Sequence, residues 1–191
     1  MKSKLEIKTQ RGITILNLEI MLGLGIGIPR ISSGLGFSGS IGDTYQGGLI
    51  FHLDGRGGGL IAAPANETKS IWGCQGVTIT GADGTAIGTG AQNTIDILAE
   101  CLTANTAADR CRDKDDGTYS DWFLPSKDEL NKMYVNLHTA GLGSFTAASY
   151  WCSSEYSSTN AWGQHFATGS QFSSSVKSGG ATLYVRAIRA F

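Results

Sequence analysis

Charged residues are scarce in this 191-residue chain, making up 16% of it, where a soluble protein usually has about 25%. The 15 basic and 16 acidic residues nearly balance, and no basic run is present, so nothing favours a nucleic-acid partner. Proline is limited to 3 residues, whereas glycine reaches 27. Little charge with much glycine and serine is typical of strand- and loop-rich surface proteins, not of helical cytosolic enzymes.

Long apolar runs are also missing. The most apolar stretch, Ile13 to Ile28, is interrupted by Asn17, by Glu19 and by three glycines. A membrane-spanning helix needs about 20 consecutive apolar residues, and a signal peptide needs an unbroken apolar core. We therefore expect neither a membrane span nor a classical signal peptide.

The chain has four cysteines, none of them in a CxxC pair, which argues against a zinc knuckle. They are Cys74, Cys101, Cys111 and Cys152. Cys101 and Cys111 bracket a short segment and are the pair we favour for a disulfide. The alternative is four buried free thiols.

Sequence motifs for catalysis are absent. His52, His138 and His165 lie far apart in the chain, and no nucleophile elbow, zincin motif or phosphate-binding loop is present. The acidic run Asp113 to Asp121 does not fit the EF-hand template, so no motif supports a calcium ion. We expect a protein that is not an enzyme and that holds no cofactor or metal. We interpret the acidic run as a solvated turn, and the alternative is a calcium ion held by a looser set of oxygen ligands.

The first 43 residues differ in texture from the rest. Residues 5–20 are rich in β-branched and apolar residues and predict extended strands. Between Gly23 and Gly42 a glycine recurs every two or three residues, which opposes helix formation. We interpret residues 1–43 as an extended, apolar, glycine-rich arm that docks on other copies of the chain or on a carrier protein. Residues 44–191 form the domain.

The domain mixes strands and helices, so we expect the α+β class. Residues 48–54 and 60–63 predict buried strands around a glycine-rich turn. A helix over residues 91–102 should bury Ile95, Leu98, Ala99 and Leu102. A second helix begins at a Ser126/Glu129 capping box and ends near Gly141. It should bury Leu130, Met133, Tyr134 and Leu137.

The final segment, residues 184–191, alternates apolar side chains with Arg186 and Arg189. One of these two arginines must therefore lie partly inside the domain. A buried guanidinium is expected to need a carboxylate partner, which Glu155, Asp121 or Asp54 would supply.

Several short segments together resemble the C-terminal domain of bacterial collagen-like adhesins, the Lcl C-terminal domain family, and its phage relatives. The arm before Tyr45 lies outside the resemblance. The matching segments are YQGGLIFHLD (45–54), GLIAAP (59–64), IWGC (71–74), AIGTGAQNT (86–94), SDWFLPSKDELNKMY (120–134), SYWCSSEYSSTNAW (149–162) and VRAIRAF (185–191).

The resemblance implies a C-type lectin-like fold with two helices and a small antiparallel sheet. It implies that the domain's first strand, residues 49–54, pairs with the last, residues 184–191. It also implies a homotrimer, a sugar or host-surface ligand, and variation of the late segment by diversity-generating retroelements. The residues to which we assign structural roles are Trp122, Ser126, Glu129, Trp151, Trp162, Arg186 and Arg189.

The ligand face is expected between Tyr156 and Val176, where serines and aromatic residues interleave. Small hydroxyls with a few rigid aromatic rings make an adaptable contact surface, as in antibody loops. The candidate ligand-binding residues are Tyr156, Ser157, Asn160, Gly163, His165, Thr168, Ser170, Phe172, Ser173, Ser174 and Ser175.

Taken together, these features predict a receptor-binding adhesin that recognises a host-surface glycan or protein. The apolar arm and the missing signal peptide favour a phage tail-fibre tip over a secreted bacterial adhesin. We therefore expect a location on the virion tail or, failing that, at the cell surface. The alternative is a structural filament or assembly protein, polymerised by the arm and decorated by the domain.

Overall fold

The structure, a computed structural model, describes residues 7–10, 13–16, 37–178 and 182–191. The chain divides into two compact units, Met1–Gly34 and Leu35–Phe191. In the first unit, strands β1 (Ile7–Gln10) and β2 (Ile13–Leu16) pair antiparallel. The expected strands between residues 5 and 20 are thus confirmed for these two stretches, and residues 17–36 of the predicted arm lie outside the described residues.

The second unit combines three α-helices with two sheets, which confirms the α+β class. Its helices are α1 (Gly90–Glu100), α2 (Ala107–Arg112) and α3 (Lys127–Asn136), and a 3₁₀ turn spans His138–Ala140. Its strands are β3 (Thr44–Tyr45), β4 (Gly48–Leu53), β5 (Gly59–Ala62), β6 (Glu67–Ser70), β7 (Ser149–Glu155), β8 (Asn160–His165), β9 (Gln171–Val176), β10 (Leu183–Val185) and β11 (Ile188–Ala190).

The larger sheet has the strand order β6-β10-β7-β8-β9. Strand β10 runs parallel to β7, and the other neighbouring pairs run antiparallel. Among the described strands, β9 has a neighbour on one side only. The late segment of the chain therefore lies at an edge of this sheet, where side chains and backbone are open to a partner.

The smaller sheet is antiparallel, with the order β11-β5-β4-β3. The predicted pairing of the 49–54 strand with the last strand is wrong, because β5 lies between them. Ile188 of β11 faces Ala62 of β5, and Ala62 in turn faces Leu49 of β4.

The turn that follows β4 explains this strand order. The Asp54 Oδ1 atom accepts the backbone N–H groups of Arg56 and Gly58, at 2.7 and 3.0 Å. These bonds close a tight hairpin that places β5 beside β4. Because β3 occupies the other edge of β4, the last strand joins the free edge of β5.

Two apolar clusters fill the domain, one on each side of the larger sheet. The first includes Trp72 and Trp151, and the second includes Tyr150, Phe166 and residues of α3. Neighbouring strand residues Tyr150 and Trp151 belong to different clusters because side chains alternate along a strand. The indole N–H groups of Trp72 and Trp151 donate to the carbonyl oxygens of Cys152 and Ser70, at 2.8 and 2.9 Å. Burying them therefore leaves no donor unpaired.

Helix α3 confirms the sequence prediction closely. Ser126 and Glu129 form the capping box, and Leu130, Met133 and Leu137 are buried. Tyr134 is half-buried. The 3₁₀ turn ends at Gly141, whose φ of 72° is the left-handed conformation that favours glycine.

Helix α1 is present, but of its predicted buried face only Leu98 packs against the first cluster, and it is half-buried. Ile95 is 58% exposed, and Leu102, just beyond the helix, is 94% exposed. The buried face instead carries Gly90, Asn93, Thr94 and Ile97. Asn93 donates to the Gly84 carbonyl at 2.6 Å, and the Thr94 hydroxyl accepts the Leu124 N–H at 3.1 Å. A periodicity of apolar residues cannot identify a face that is buried through satisfied polar side chains.

Helix α2 was not predicted, so the expected two helices become three. It begins with a capping box between Thr106 and Asp109, and it buries Ala107, Ala108 and Cys111. At six residues the helix is too short to give a periodic pattern. Its existence depends on burial of this small-residue face against the first cluster.

The compact unit begins before the predicted boundary at residue 44. The Phe37 ring lies 4.7 Å from the Tyr45 ring and 4.9 Å from the Phe191 ring, centroid to centroid. The Gly42 N–H donates to the Ile50 carbonyl at 2.8 Å. Residues 37–43, assigned to the arm from composition, are thus packed on the domain.

Arg186 is the arginine that lies inside, but its predicted carboxylate partner is wrong. Its Nε donates to Asn66 Oδ1 at 2.8 Å, and its Nη1 donates to the carbonyls of Ala63 and Gly143, at 2.7 and 2.9 Å. The guanidinium also lies 4.1 Å from the Phe145 ring centroid. Burial lowers the pKa of Arg186 to about 10, so it stays charged at neutral pH. Amide and carbonyl dipoles here replace a carboxylate. Asp121, one of the predicted partners, pairs instead with the half-buried Arg189.

Candidate functional site

The predicted ligand face forms a ribbon at the free edge of the larger sheet. It comprises β8, β9 and the turns before and between them, residues 156–159 and 166–170. These turns lie at opposite ends of β8, which at six residues separates them by about 17 Å. The candidate residues are therefore strung along a ribbon that suits an extended ligand.

Strand register divides the candidates between the two faces of the ribbon. Gly163 pairs with Phe172, and Ala161 pairs with Ser175. These positions share the face that packs on the cluster of Trp72 and Trp151. Asn160 and Trp162 alternate with them and lie on the opposite face, above α3.

Most of the candidates reach the surface. The exposed ones are Tyr156, Thr168, Ser170 and Ser174, and the half-buried ones are Ser157, Asn160, His165, Phe172, Ser173 and Ser175. Gly163 is buried, so its prediction as a ligand contact is wrong. A Cβ atom there would lie 2.7 Å from the Phe172 ring and 2.8 Å from the Tyr150 carbonyl oxygen. Glycine at this position lets the Phe172 ring lie flat on the sheet.

Substituting Gly163 with alanine is expected to lower the free energy of unfolding by about 2 kcal/mol, because the Tyr150 backbone cannot move away cheaply. Urea denaturation measures this change. Ser174→Ala, an exposed substitution on the same ribbon, is the control and should stay within about 0.5 kcal/mol of the wild type. A Gly163→Ala variant as stable as the control would show that the contacts with Phe172 and Tyr150 do not require glycine at this position.

One end of the ribbon carries an aromatic and cationic surface, which we call the platform: Tyr156, Trp162 and Lys127. Tyr156 is 59% exposed and meets Trp162 edge to face, with ring centroids 5.4 Å apart. The Lys127 Nζ lies 4.3 Å from the Trp162 ring centroid, a cation–π contact. The platform thus presents an open aromatic ring beside a positive charge.

Helix α3 positions the platform through hydrogen bonds to the ribbon. Gln171 Nε2 donates to the Lys127 carbonyl at 3.1 Å, and Gln164 Nε2 donates to Asn131 Oδ1 at 2.8 Å. The Lys127 N–H donates to the Ser154 hydroxyl at 3.0 Å. These bonds fix the first turn of α3 against β7 and β9, and so fix Lys127 beside Trp162.

Glu129 anchors the start of the same helix. Its buried carboxylate accepts the N–H groups of Ser126 and Gly88, each at 2.7 Å. Burial raises the pKa of Glu129, although these hydrogen bonds act in the opposite direction. The carboxylate joins α3 to the irregular segment that precedes α1, which strengthens the scaffold under the platform.

A buried ion pair fixes the other side of the ribbon. Lys177, which is fully buried, pairs with Glu155 and donates to the Val77 carbonyl at 2.9 Å. The Glu155 carboxylate in turn accepts the Ile79 N–H at 3.0 Å. Burial lowers the pKa of Lys177, and Glu155 counteracts this effect. The pair joins the ends of β7 and β9 to residues 77–79.

Residues 73–79 form a segment that we call the backing loop. The Gly76 N–H donates to the Ser158 carbonyl at 2.8 Å, and the Gly73 N–H donates to the Lys177 carbonyl at 2.9 Å. The loop therefore holds both the turn that follows Tyr156 and the end of β9. The backing loop is not part of the platform, but its bond to Ser158 holds the turn that follows Tyr156.

A disulfide ties the backing loop to the end of α1. It joins Cys74 to Cys101, with Cα atoms 5.5 Å apart, and Cys111 and Cys152 are buried free thiols. The favoured Cys101–Cys111 pairing is wrong because Cys111 lies on α2 and faces the first cluster. Proximity in sequence misled the prediction, since the intervening residues form a separate helix.

The residues assigned structural roles occupy two environments. Trp122, Ser126, Glu129, Trp151 and Arg186 are buried. Trp162 and Arg189 are half-buried. Arg189 stacks on Tyr119, with its guanidinium carbon 3.9 Å from the ring centroid. Trp162 combines both roles, because one part packs on the second cluster while another part belongs to the platform.

The acidic run is engaged in local contacts. Asp113 pairs with Arg112, Asp115 accepts the Gly117 N–H, and Asp116 accepts the Thr118 and Tyr119 N–H groups. Within the part of the chain that the structure describes, no group of three or more His, Cys, Asp or Glu residues is arranged to hold a metal ion.

A scan against protein-family models and a search of curated proteins found no match for this chain. The resemblance to the Lcl C-terminal domain family therefore stays a prediction. In the described residues, no helix has both the length and the apolar content that crossing a bilayer requires.

Lys127 was not identified from the sequence as a residue of the platform. The capping box predicts only that a helix begins directly after Ser126. The position of Lys127 beside Trp162 depends on contacts between α3 and β8, which are distant in sequence. The capping box is the available signal in the sequence. It determines where α3 begins, but it does not show which residues the first turn of the helix contacts.

Proposed function

We propose that the chain is a receptor-binding protein that recognises a host-surface glycan or protein through the ribbon. The observation that carries the proposal is the platform: Tyr156 is 59% exposed on an edge ribbon, in contact with Trp162. An exposed tyrosine supplies a large, rigid contact area at a small entropic cost. The hydroxyls around it add hydrogen bonds that can adapt to different ligands.

The scaffold beneath the ribbon supports the same proposal. Helix α3, the Glu155–Lys177 pair and the backing loop hold the ribbon at both ends. A pre-ordered surface loses less entropy when it binds than a loose one does. The exposed residues are thus free to vary in chemistry while the strands that carry them stay fixed.

The finer assignment follows from the sequence resemblance. The domain would be C-type lectin-like, and its late segment would be the part that retroelements diversify. The protein would act as a phage tail-fibre tip on the virion, or as an adhesin at a cell surface. It would form a homotrimer and attach to a carrier tail or filament protein through the part of the predicted arm that precedes residue 37.

Substituting Tyr156 with alanine tests the proposal. The variant is expected to bind receptor-bearing bacterial envelopes about 10–30-fold more weakly than the wild-type chain, as is typical for an exposed aromatic anchor. Binding of the full-length chain is measured by surface plasmon resonance on immobilised envelope fractions from a panel of bacteria.

Leu102→Ala is the control, because Leu102 is 94% exposed and lies outside the ribbon, just beyond α1. It should bind envelopes as the wild type does. The proposal is wrong if the folded Tyr156→Ala variant and the Leu102→Ala variant bind with the same affinity.

A further inference from the structure

The platform combines an open aromatic ring with a lysine that has no ion-pair partner among the described residues. We infer that its ligand is an acidic glycan: a sugar ring packs on Tyr156, and an anionic substituent pairs with Lys127. This inference rests on the proposed function and specifies the class of ligand for the same surface.

Lys127 differs from Lys114 and Lys177, each of which has a carboxylate partner. Lys114 pairs with Glu67 and Lys177 pairs with Glu155. Among the described residues, no carboxylate lies within ion-pair distance of Lys127, and its Nζ rests on the Trp162 ring instead. A half-buried ammonium held on an aromatic face is positioned for an anion, because little side-chain entropy remains to be lost.

The anion would be recognised by the Lys127 side chain and not by the start of α3. The backbone N–H groups of that first turn are already bonded. Those of Lys127, Asp128 and Glu129 donate to the Ser154 hydroxyl, the Thr85 carbonyl and the Ser126 hydroxyl, respectively. The Lys127 ammonium is therefore the group that would pair with an acidic substituent at the platform.

The aromatic part of the platform fits the apolar side of a sugar ring. Tyr156 meets Trp162 with an interplanar angle of 85°, so the Tyr156 ring is not covered by a parallel stack. Aliphatic C–H groups of a pyranose can pack on such a face. The Asn160 amide and the Gln171 amide oxygen lie on the same face of the ribbon and supply polar groups for sugar hydroxyls.

Charge also excludes two other ligand classes at the platform. A cationic ligand would be repelled by the Lys127 ammonium, which already lies on the Trp162 ring. A wholly apolar ligand would have to bury that ammonium without a partner, which is costly. An acidic sugar satisfies both the ring and the charge.

Matched acidic and neutral oligosaccharides test the inference by isothermal titration calorimetry with the full-length chain. The probes are short oligomers of polygalacturonate, hyaluronan and polysialic acid, each beside its carboxyl-reduced counterpart, and a phosphorylated mannose oligosaccharide beside its dephosphorylated form. The carboxylate and phosphate arms distinguish the two sources of the anion. At least one acidic probe should bind about tenfold more tightly than its neutral counterpart at low salt.

Lys127→Gln should remove this preference, lowering affinity for the acidic probe about tenfold and leaving the neutral counterpart unchanged. Lys132→Gln, five residues further along α3, is the matched control and should keep the preference. Tyr156→Ala should weaken both forms of the probe.

Three results would overturn the inference. One is equal affinity for the acidic and neutral forms, another is an unchanged preference in Lys127→Gln, and the third is binding of no probe at all. If in any of these cases the wild type still binds envelopes and Tyr156→Ala does not, the receptor-binding function stands and the acidic-glycan ligand is rejected. If Tyr156→Ala also binds envelopes as tightly as the wild type does, both the receptor-binding function and the acidic-glycan ligand are rejected.

Discussion

Replacing Lys177 with alanine is expected to lower the free energy of unfolding by about 3–5 kcal/mol, because it leaves the buried Glu155 carboxylate without a cation. It also removes the bond from Lys177 Nζ to the Val77 carbonyl and the contact with the Trp72 ring. A loss of this size is a large fraction of the stability of an ordinary domain. Urea denaturation followed by tryptophan fluorescence measures it.

A double substitution separates the ion pair from simple loss of packing. Lys177→Met with Glu155→Leu removes both charges and keeps apolar volume, so it should recover most of the loss caused by Lys177→Ala. Lys132→Ala, on a half-buried lysine without an ion pair among the described residues, is the control. A Lys177→Ala variant that unfolds at the same urea concentration as this control would show that the pair is not the anchor described above.

The second large effect is expected for the disulfide. Substituting Cys74 and Cys101 with alanine removes a crosslink between residues 27 positions apart, which in the chain-entropy account costs about 3–4 kcal/mol. Reducing agent should destabilise the wild type by a similar amount and should leave the double variant unaffected. Thermal unfolding with and without reductant measures both.

The two buried thiols provide the control for the disulfide. Cys111→Ala with Cys152→Ala should keep its sensitivity to reductant, since neither residue takes part in the crosslink. Peptide mapping of the oxidised wild type should find Cys74 joined to Cys101. A map with Cys101 joined to Cys111 would contradict the structure and restore the pairing favoured from sequence.

Both effects converge on the backing loop. Cys74 anchors one end of it to α1, while Lys177 and Glu155 hold its middle and its other end at Val77 and Ile79. Because the loop also bonds to Ser158, loosening it releases the turn next to Tyr156. We therefore expect reductant to weaken envelope binding even where the domain stays folded.

Local chemistry made some elements predictable from sequence. Ser126 and Glu129 satisfy each other's backbone groups within four residues, so α3 was placed correctly. The Asp54 turn was likewise visible, because aspartate and glycine have specific turn roles. In each case the residues that determine the structure are neighbours in the chain.

Long-range burial was not predictable in the same way. The buried face of α1 depends on Thr94 meeting Leu124 and on Asn93 meeting Gly84 and Ser153, contacts between distant segments. The partner of Cys101 depends on the path of residues 71–79 across the sheet. No periodicity or spacing encodes these contacts.

The ribbon and the platform contain residues that the sequence predicts correctly and residues whose position depends on long-range contacts. Tyr156 was identified from composition, and it is the most open large side chain of the ribbon. Gly163 is predicted on the ligand face because it falls within the segment from Tyr156 to Val176, yet register turns it under Phe172. Lys127 joins the platform only through the packing of α3 on β8. Which face a ribbon residue takes requires the strand pairing.

Hydroxyl-radical footprinting of the full-length chain, with and without an envelope fraction that binds it, tests the ligand-binding role of the platform most directly. Mass spectrometry of the labelled peptides should show protection of Tyr156 and Trp162 on binding, with Leu102 labelled equally in both samples. Equal labelling of Tyr156 in the two samples, with protection elsewhere on the domain, would contradict the proposed site.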